Sequence, residues 1–249
     1  MPYSEVVRPS DPVEAVLFLT RLPLRWPLPN PRGARASWAW PLAGAVVGAL
    51  AAAGASLALA AGLPPNVAAA LALVVQAFAT GALHEDGLAD SADGLWGGST
   101  RERRLEIMRD SRIGSYGAVA LVLSLLIRWS AVLALLAQGA TWGPLIAAGA
   151  LSRWSPPAML WALRPAREGG LSRLIGRPAG ATLALGGATA VLVALLATGL
   201  AAASAVLWVG LVTLAWGLLV RARLGGQTGD TCGAAQQLAE MAALLALLA

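Results

Sequence analysis

Residues 114–137 read GSYGAVALVLSLLIRWSAVLALLA. Arg128 is the one charged residue in the stretch. As a helix rising about 1.5 Å per residue, it is long enough to cross a hydrocarbon core about 30 Å thick. In lipid only helices and closed barrels satisfy the backbone, and runs of this length are helices. Comparable apolar runs lie at 41–62, 66–83, 142–163, 181–199 and 203–220, with a shorter one at 234–249 that contains Glu240. The pattern predicts an all-α, polytopic membrane helix bundle of about six or seven transmembrane helices in a single domain over 1–249.

Composition agrees. The chain is 57% hydrophobic and 12% charged, against about a quarter charged in soluble domains, and its mean hydropathy is +0.68. The stretch from Met1 to Arg35 lacks the basic, apolar and small-residue pattern of a cleavable signal. The single cysteine, Cys232, excludes an internal disulfide and a cysteine-rich metal site. All 18 basic residues are arginine. A pI near 10.9 would suit nucleic acid, but arginines flanking membrane spans orient the chain and need no nucleic acid partner.

The charges are unevenly placed. Connections at 62–66, 137–143 and 199–203 carry none, whereas 1–40, 84–113, 164–180 and 221–233 hold nearly all of them. These segments alternate across successive crossings, and the positive-inside rule puts the charged ones in the cytoplasm. Ahead of the first run, 11–24 (DPVEAVLFLTRLPL) reads as a short helix ending at Pro23, lying at the interface or packed on the bundle.

Three charged segments carry chemistry. The first, HEDGLADSADG at 84–94, holds the only histidine and four acids. On a helix turning about 100° per residue, Asp86, Asp90 and Asp93 fall within an arc of about 60°, with Glu85 and His84 pointing elsewhere. Unpaired carboxylates this close repel one another and raise each other's pKa, which a cation would relieve. Oxygen ligands suit a hard ion such as Mg²⁺, which completes its shell with water and substrate phosphate. The plain alternative is a solvated acidic helix end paired with nearby arginines. His84 is a hydrogen-bonding residue or a proton carrier.

The second segment is RERRLEIMRDSRIGSYG, 101–117. Asp110 is a further candidate metal ligand, and Arg109 and Arg112 candidate phosphate clamps, since guanidinium forks match phosphate geometry. Local ion pairing at a membrane boundary is the competing account. The third, LGGQTGDTCGA at 224–234, is glycine-rich with Gln227, Thr228 and Asp230; it lacks the ending of a P-loop. Arg128 and Arg153 lie within apolar runs. A charge there costs about 2.5–3.5 kcal/mol on insertion scales, so they either snorkel or face a polar cavity.

Together these stretches resemble the cobalamin synthase family, the adenosylcobinamide-GDP ribazoletransferases. The resemblance runs over most of the chain: FLTRLP at 18–23, PLAG at 41–44, HEDGLADSADG at 84–94, EIMRDSRIGSYG at 106–117, SR at 152–153, AREGGL at 166–171 and GGQTGDTCGA at 225–234. The family pattern H-x-D-G-x-x-D-x-x-D-G is kept at His84, Asp86, Gly87, Asp90, Asp93 and Gly94.

The resemblance implies that adenosylcobinamide-GDP meets α-ribazole or its 5′-phosphate to give adenosylcobalamin or its 5′-phosphate and GMP. It implies Mg²⁺ as cofactor and a bacterial inner membrane location with the site facing the cytoplasm; a homo-oligomer is compatible with it. Asp86, Asp90, Asp93 and Asp110 would hold the metal, with Asp90 or Asp93 or else His84 moving the proton. Arg109, Arg112 and Arg153 would clamp phosphate, and Gln227, Thr228 and Asp230 would wall the site.

Two other classes compete. A CDP-alcohol phosphotransferase also gathers aspartates around a metal, but DGLAD at 86–90 has Asp90 where that family has arginine. An ion-coupled carrier would place its acids at the bilayer midplane within paired repeats, and no repeat is present.

Overall fold

The computed structural model describes residues 7–28 and 30–248. The first six residues of the predicted cytoplasmic N-terminal segment, Pro29 within it, and Ala249 at the end of the predicted last span lie outside the described residues. Among the described residues the secondary structure is helical, with one isolated bridge pairing Pro165 and Gln227.

The helices are α1 (Asp11–Leu19), α2 (Trp40–Ala60), α3 (Pro65–Thr80), α4 (Leu83–Gly97), α5 (Arg101–Ile107), α6 (Ser115–Ala137), α7 (Trp142–Ser152), α8 (Ser155–Ala162), α9 (Leu171–Ile175), α10 (Gly180–Thr198), α11 (Ala202–Leu224) and α12 (Gly229–Ala246). A 3₁₀ helix over Gly33–Ala39 leads into α2.

Among the described residues, three segments are long and apolar enough to cross a membrane, Gly33–Ala60, Ser115–Ala137 and Gly180–Leu224, or four if the bent pair Pro65–Thr80 and Leu83–Gly97 is one span, against the six or seven predicted. The segment Gly180–Leu224 contains two helices. Gly199, at φ +61°, breaks it, and Gly187 and Val191 of α10 line the same cleft as Val206 and Gly210 of α11, so the chain doubles back. The outer faces of these helices leave large apolar side chains uncovered, among them Val119, Leu126, Leu192 and Leu214, while Arg128, Arg153 and Glu240 are buried. This inversion of the soluble-protein pattern fits a lipid surround.

Two predicted spans take a different form. The run at 142–163 divides into α7 and α8 at Arg153–Trp154, because Pro156 and Pro157 lack the N–H that would continue a helix and instead start a new one. The run at 66–83 becomes α3, which with α4 forms a pair bent by 90°. The bend is made by Gly81 (φ +65°) and Ala82 (φ +55°), the one non-glycine with positive φ among the described residues. α4 carries four acids in its fifteen residues and lies outside the three apolar spans, as does the 225–233 segment.

Small residues set the closest packing. A Cβ on Gly44 would sit 2.1 Å from the carbonyl oxygen of Gly149, and one on Gly48 at the same distance from that of Leu145; α2 and α7 therefore cross backbone to backbone. α12 is enclosed by neighbours along most of its length, with Thr231 to Gln237 all buried. One apolar cluster joins α2, α3, α6, α7, α10, α11 and α12. A second joins α1, α2, α4, α5, α8, α11 and α12, and the site lies against it.

The charged segments converge at one end of the bundle. Arg101 donates to the carbonyls of Leu224 and Ala166, and Arg104 to that of Arg223. Backbone bonds between Arg164 and Gln227 and between Ala166 and Gln227 tie the 164–166 loop to the start of α12.

Candidate active site

α4 and α12 meet through glycine. A Cβ on Gly87 would lie 2.7 Å from the carbonyl oxygen of Asp230 and 3.2 Å from Cα of Gly233. The absent side chains bring Asp86 and Asp90 of α4 beside Asp230 of α12. A cavity of about 220 Å³ opens there, lined at its polar end by His84, Asp86, Arg167 and Asp230. Arg167 donates to Asp230 at 3.2 Å, and the Thr228 hydroxyl donates to the same carboxylate.

The electrostatics single out Asp90. Burial and the neighbouring carboxylates of Asp86, Asp230 and Asp93 push its pKa up to about 7, against a smaller opposing pull from Arg167. Burial also raises Asp230, opposed by Arg167 and Thr228. His84 is held down to about 3, by burial first and then by the Arg153 cation, so its imidazole is neutral.

The four predicted metal ligands do not share one cavity. Asp93 accepts the N–H of Gly114 at 2.7 Å and of Gly117 at 2.8 Å, and so ties α4 to the start of α6. It borders a separate open cleft together with Asp110 and Arg112. Asp110 is ion-paired with Arg112 at 2.6 Å, and the Arg112 hydrogen bonds hold its pKa down at about 2. Arg109 is exposed beside them.

Among the described residues, no three His, Cys, Asp or Glu side chains form a ready metal cage. Mg²⁺ does not require one, since one or two carboxylates with substrate phosphate and water suffice. Burial first, and then repulsion from Asp86, Asp230 and Asp93, disfavours the charged form of Asp90, and a cation nearby would offset that repulsion. Asp86 and Asp230, which line the cavity together, fit the one or two carboxylates of a metal shared with substrate.

Arg153 sits at the break between α7 and α8, 3% exposed, and donates to Glu240 at 2.6 Å and to Ser152. Arg128, 1% exposed, donates to Glu85 at 3.0 Å, Gln237 at 2.7 Å, Gln76 at 2.8 Å and Glu240 at 3.1 Å. Both guanidiniums thus balance internal acids behind the cavity. Gln227 is buried, with its backbone paired to Arg164 and Ala166. Thr228 caps α12 in a reciprocal capping box with Thr231.

Sequence reasoning did not assign Arg167 or the partnership of Glu85 and Glu240 with the two arginines. The signals were present: Arg167 lies in the AREGGL stretch at 166–171, and Glu240 is an acid in an otherwise apolar terminal run.

The chain matches the family model described as cobalamin-5-phosphate synthase over residues 12–248. It is 46% identical to the adenosylcobinamide-GDP ribazoletransferase of Bradyrhizobium diazoefficiens, covering 98% of this chain and 96% of that protein. The protein of the same name from Mesorhizobium japonicum is 46% identical, covering 95% and 92%, and that from Brucella ovis 42% identical, covering 96% of each. No solved structure matches the chain significantly.

Proposed function

The chain belongs to the cobalamin-5-phosphate synthase family, and we propose that Asp86, Asp230 and Arg167 hold the pyrophosphate of adenosylcobinamide-GDP, with Asp90 beside them, for attack by α-ribazole or its 5′-phosphate. The chain is an enzyme of the final stage of cobalamin synthesis, a ribazole transferase. The observation that carries the site assignment is the meeting of Asp86, Asp230 and Arg167 at one cavity, with Asp90 close enough to feel both carboxylates, at the end of the bundle where the charged segments converge.

In this reading the ribazole 3′-hydroxyl forms a new O–P bond to the phosphoryl group that the corrinoid carries. The bond to the GMP oxygen breaks, and GMP leaves with that electron pair. Asp90 takes the hydroxyl proton. It accepts no hydrogen bond from the protein among the described residues, so its carboxylate is free to accept one from the substrate hydroxyl. Asp93 is committed to two backbone amides, and neutral His84 is a weaker acceptor suited to hydrogen bonding.

Asp86 and Asp230 would hold Mg²⁺, which when bound neutralises charge on the transferring and departing phosphates. Arg167, steadied by Asp230, is the phosphate clamp nearest these acids. Arg112 borders the neighbouring cleft, Arg109 is exposed three residues before it, and both would steer anionic substrate to the mouth. The membrane is a bacterial inner membrane with this end facing the cytoplasm, as the arginine bias supports.

The test is GMP release and cobalamin formation by purified protein in lipid, supplied with adenosylcobinamide-GDP, α-ribazole 5′-phosphate and Mg²⁺. Asp90→Asn is expected to lower turnover by about 10²–10⁴-fold, and EDTA to abolish it. Full activity of Asp90→Asn would move the base elsewhere.

A further inference from the structure

Behind its acidic mouth the cavity changes character. Phe18 of α1 and Trp40 of α2 stack with ring centroids 5.3 Å apart and planes 28° from parallel. Both line the cavity together with Leu160, Leu171 and Ile175. At the polar end two groups lack partners: Nδ1 of His84, itself 3% exposed, and Nη1 of Arg167. The site is therefore two-sided, with a flat apolar slot on one side and unspent hydrogen-bonding capacity on the other.

We propose that this cavity is the acceptor subsite: the slot beside Phe18 and Trp40 takes the benzimidazole ring of α-ribazole, and the ribose lies toward His84, Asp86 and Arg167. The inference rests on the transferase reading above and names which substrate fills the cavity. Size excludes the corrinoid. About 220 Å³ is below the roughly 300–1,000 Å³ of pockets that enclose drug-sized ligands, so it has room for the ring and sugar of a small nucleoside and none for a macrocycle. Chemistry excludes guanine. That base carries several donors and acceptors along its pairing edge, and against Leu160, Leu171 and Ile175 only the Ser172 hydroxyl could meet them, leaving most unsatisfied. A benzimidazole has no such edge and stacks on aromatic rings. The corrinoid and its guanosine would then approach from outside the mouth, placing the pyrophosphate between the two substrates.

The experiment uses full-length protein in lipid nanodiscs. α-Ribazole is titrated calorimetrically without corrinoid, GMP is titrated as competitor, and steady-state kinetics are run in both substrates. Ile175→Trp fills the slot from a short helix flanked by Gly170 and Gly176, and Phe18→Ala removes the stacked ring. Each variant is expected to weaken α-ribazole binding roughly tenfold and to raise its KM alike. The KM for adenosylcobinamide-GDP should stay within about twofold, and GMP should not displace α-ribazole.

A raised KM for adenosylcobinamide-GDP with α-ribazole unaffected would overturn the proposal and give the slot to guanine. Unchanged α-ribazole binding in both variants, at wild-type melting temperature, would also overturn it. Wild-type protein that binds α-ribazole in a variant-sensitive way yet forms no product would sustain the subsite and sink the transferase reading instead.

Discussion

Asp90 and Asp93 lie three positions apart on one helix, yet their surroundings divide them. Asp93 spends its carboxylate on the amides of Gly114 and Gly117. Asp93→Ala would orphan both N–H groups at about 1–3 kcal/mol each, so its melting temperature should fall by roughly 5 °C or more. An unchanged melting curve would refute the strap. Asp90 is raised from 3.8 to about 7 by burial and by the acids around it. The folded state therefore holds this proton more tightly than the unfolded chain. The stability so gained is complete below pH 3.8 and is lost as pH climbs through about 7. In metal-free protein, melting temperature should fall from pH 5 to pH 8 more steeply for wild type than for Asp90→Asn. Mg²⁺, by favouring the ionised form, should flatten the wild-type slope; identical slopes with and without Mg²⁺ would remove the cation from this site.

At the scale of elements, the crossing of α4 and α12 depends on a missing methyl group. A Cβ on Gly87 would come within 2.7 Å of the Asp230 carbonyl, which belongs to backbone that cannot yield. Gly87→Ala should push the helices apart, separate Asp86 and Asp90 from Asp230, and cut turnover by tenfold or more, roughly the effect of misplacing catalytic groups by 1 Å. Gly210→Ala, in a helix with open space around it, should instead hold or slightly raise the melting temperature, by about 0.5–1 kcal/mol of helix preference. If both variants behave alike, the crossing does not set the site. These examples show which parts were legible in the sequence. Helix positions were, because apolar runs and the periodicity of 84–96 are local signals. The break at Arg153 was less so, although Pro156 and Pro157 announced it. The partnership of Asp230 with Asp86 and Asp90 was not, because it joins residues more than 130 positions apart through Gly87 and Gly233, and no local pattern records which helices cross. The acidic stripe was read as one face, but a neighbouring helix start captured Asp93 and left the other two acids to a different partner.

For the whole molecule, the decisive feature is a charge-balanced core inside an apolar bundle. Among the described residues, Arg128 and Arg153 face Glu85 and Glu240, and Gln76, Gln236 and Gln237 complete their hydrogen bonds. These side chains come from α3, α4, α6, the α7–α8 break and α12, so the network fixes how five parts of the chain sit together. Glu85 directly precedes Asp86, and the same contacts therefore hold the acidic mouth in place. Removing one member of a buried ion pair costs about 3–5 kcal/mol, mainly because an uncompensated charge remains, whereas removing a balanced pair costs far less. Glu240→Gln should accordingly be strongly destabilised and poorly active, with two cations facing Glu85 alone. The double variant Arg153→Leu with Glu240→Leu leaves Arg128 opposite Glu85 and should recover much of that loss, despite carrying one more substitution. Equilibrium unfolding in mixed micelles, with turnover measured on the same samples, distinguishes the two. A double variant less stable than Glu240→Gln would mean that the individual hydrogen bonds, and not the charge balance, hold this core together.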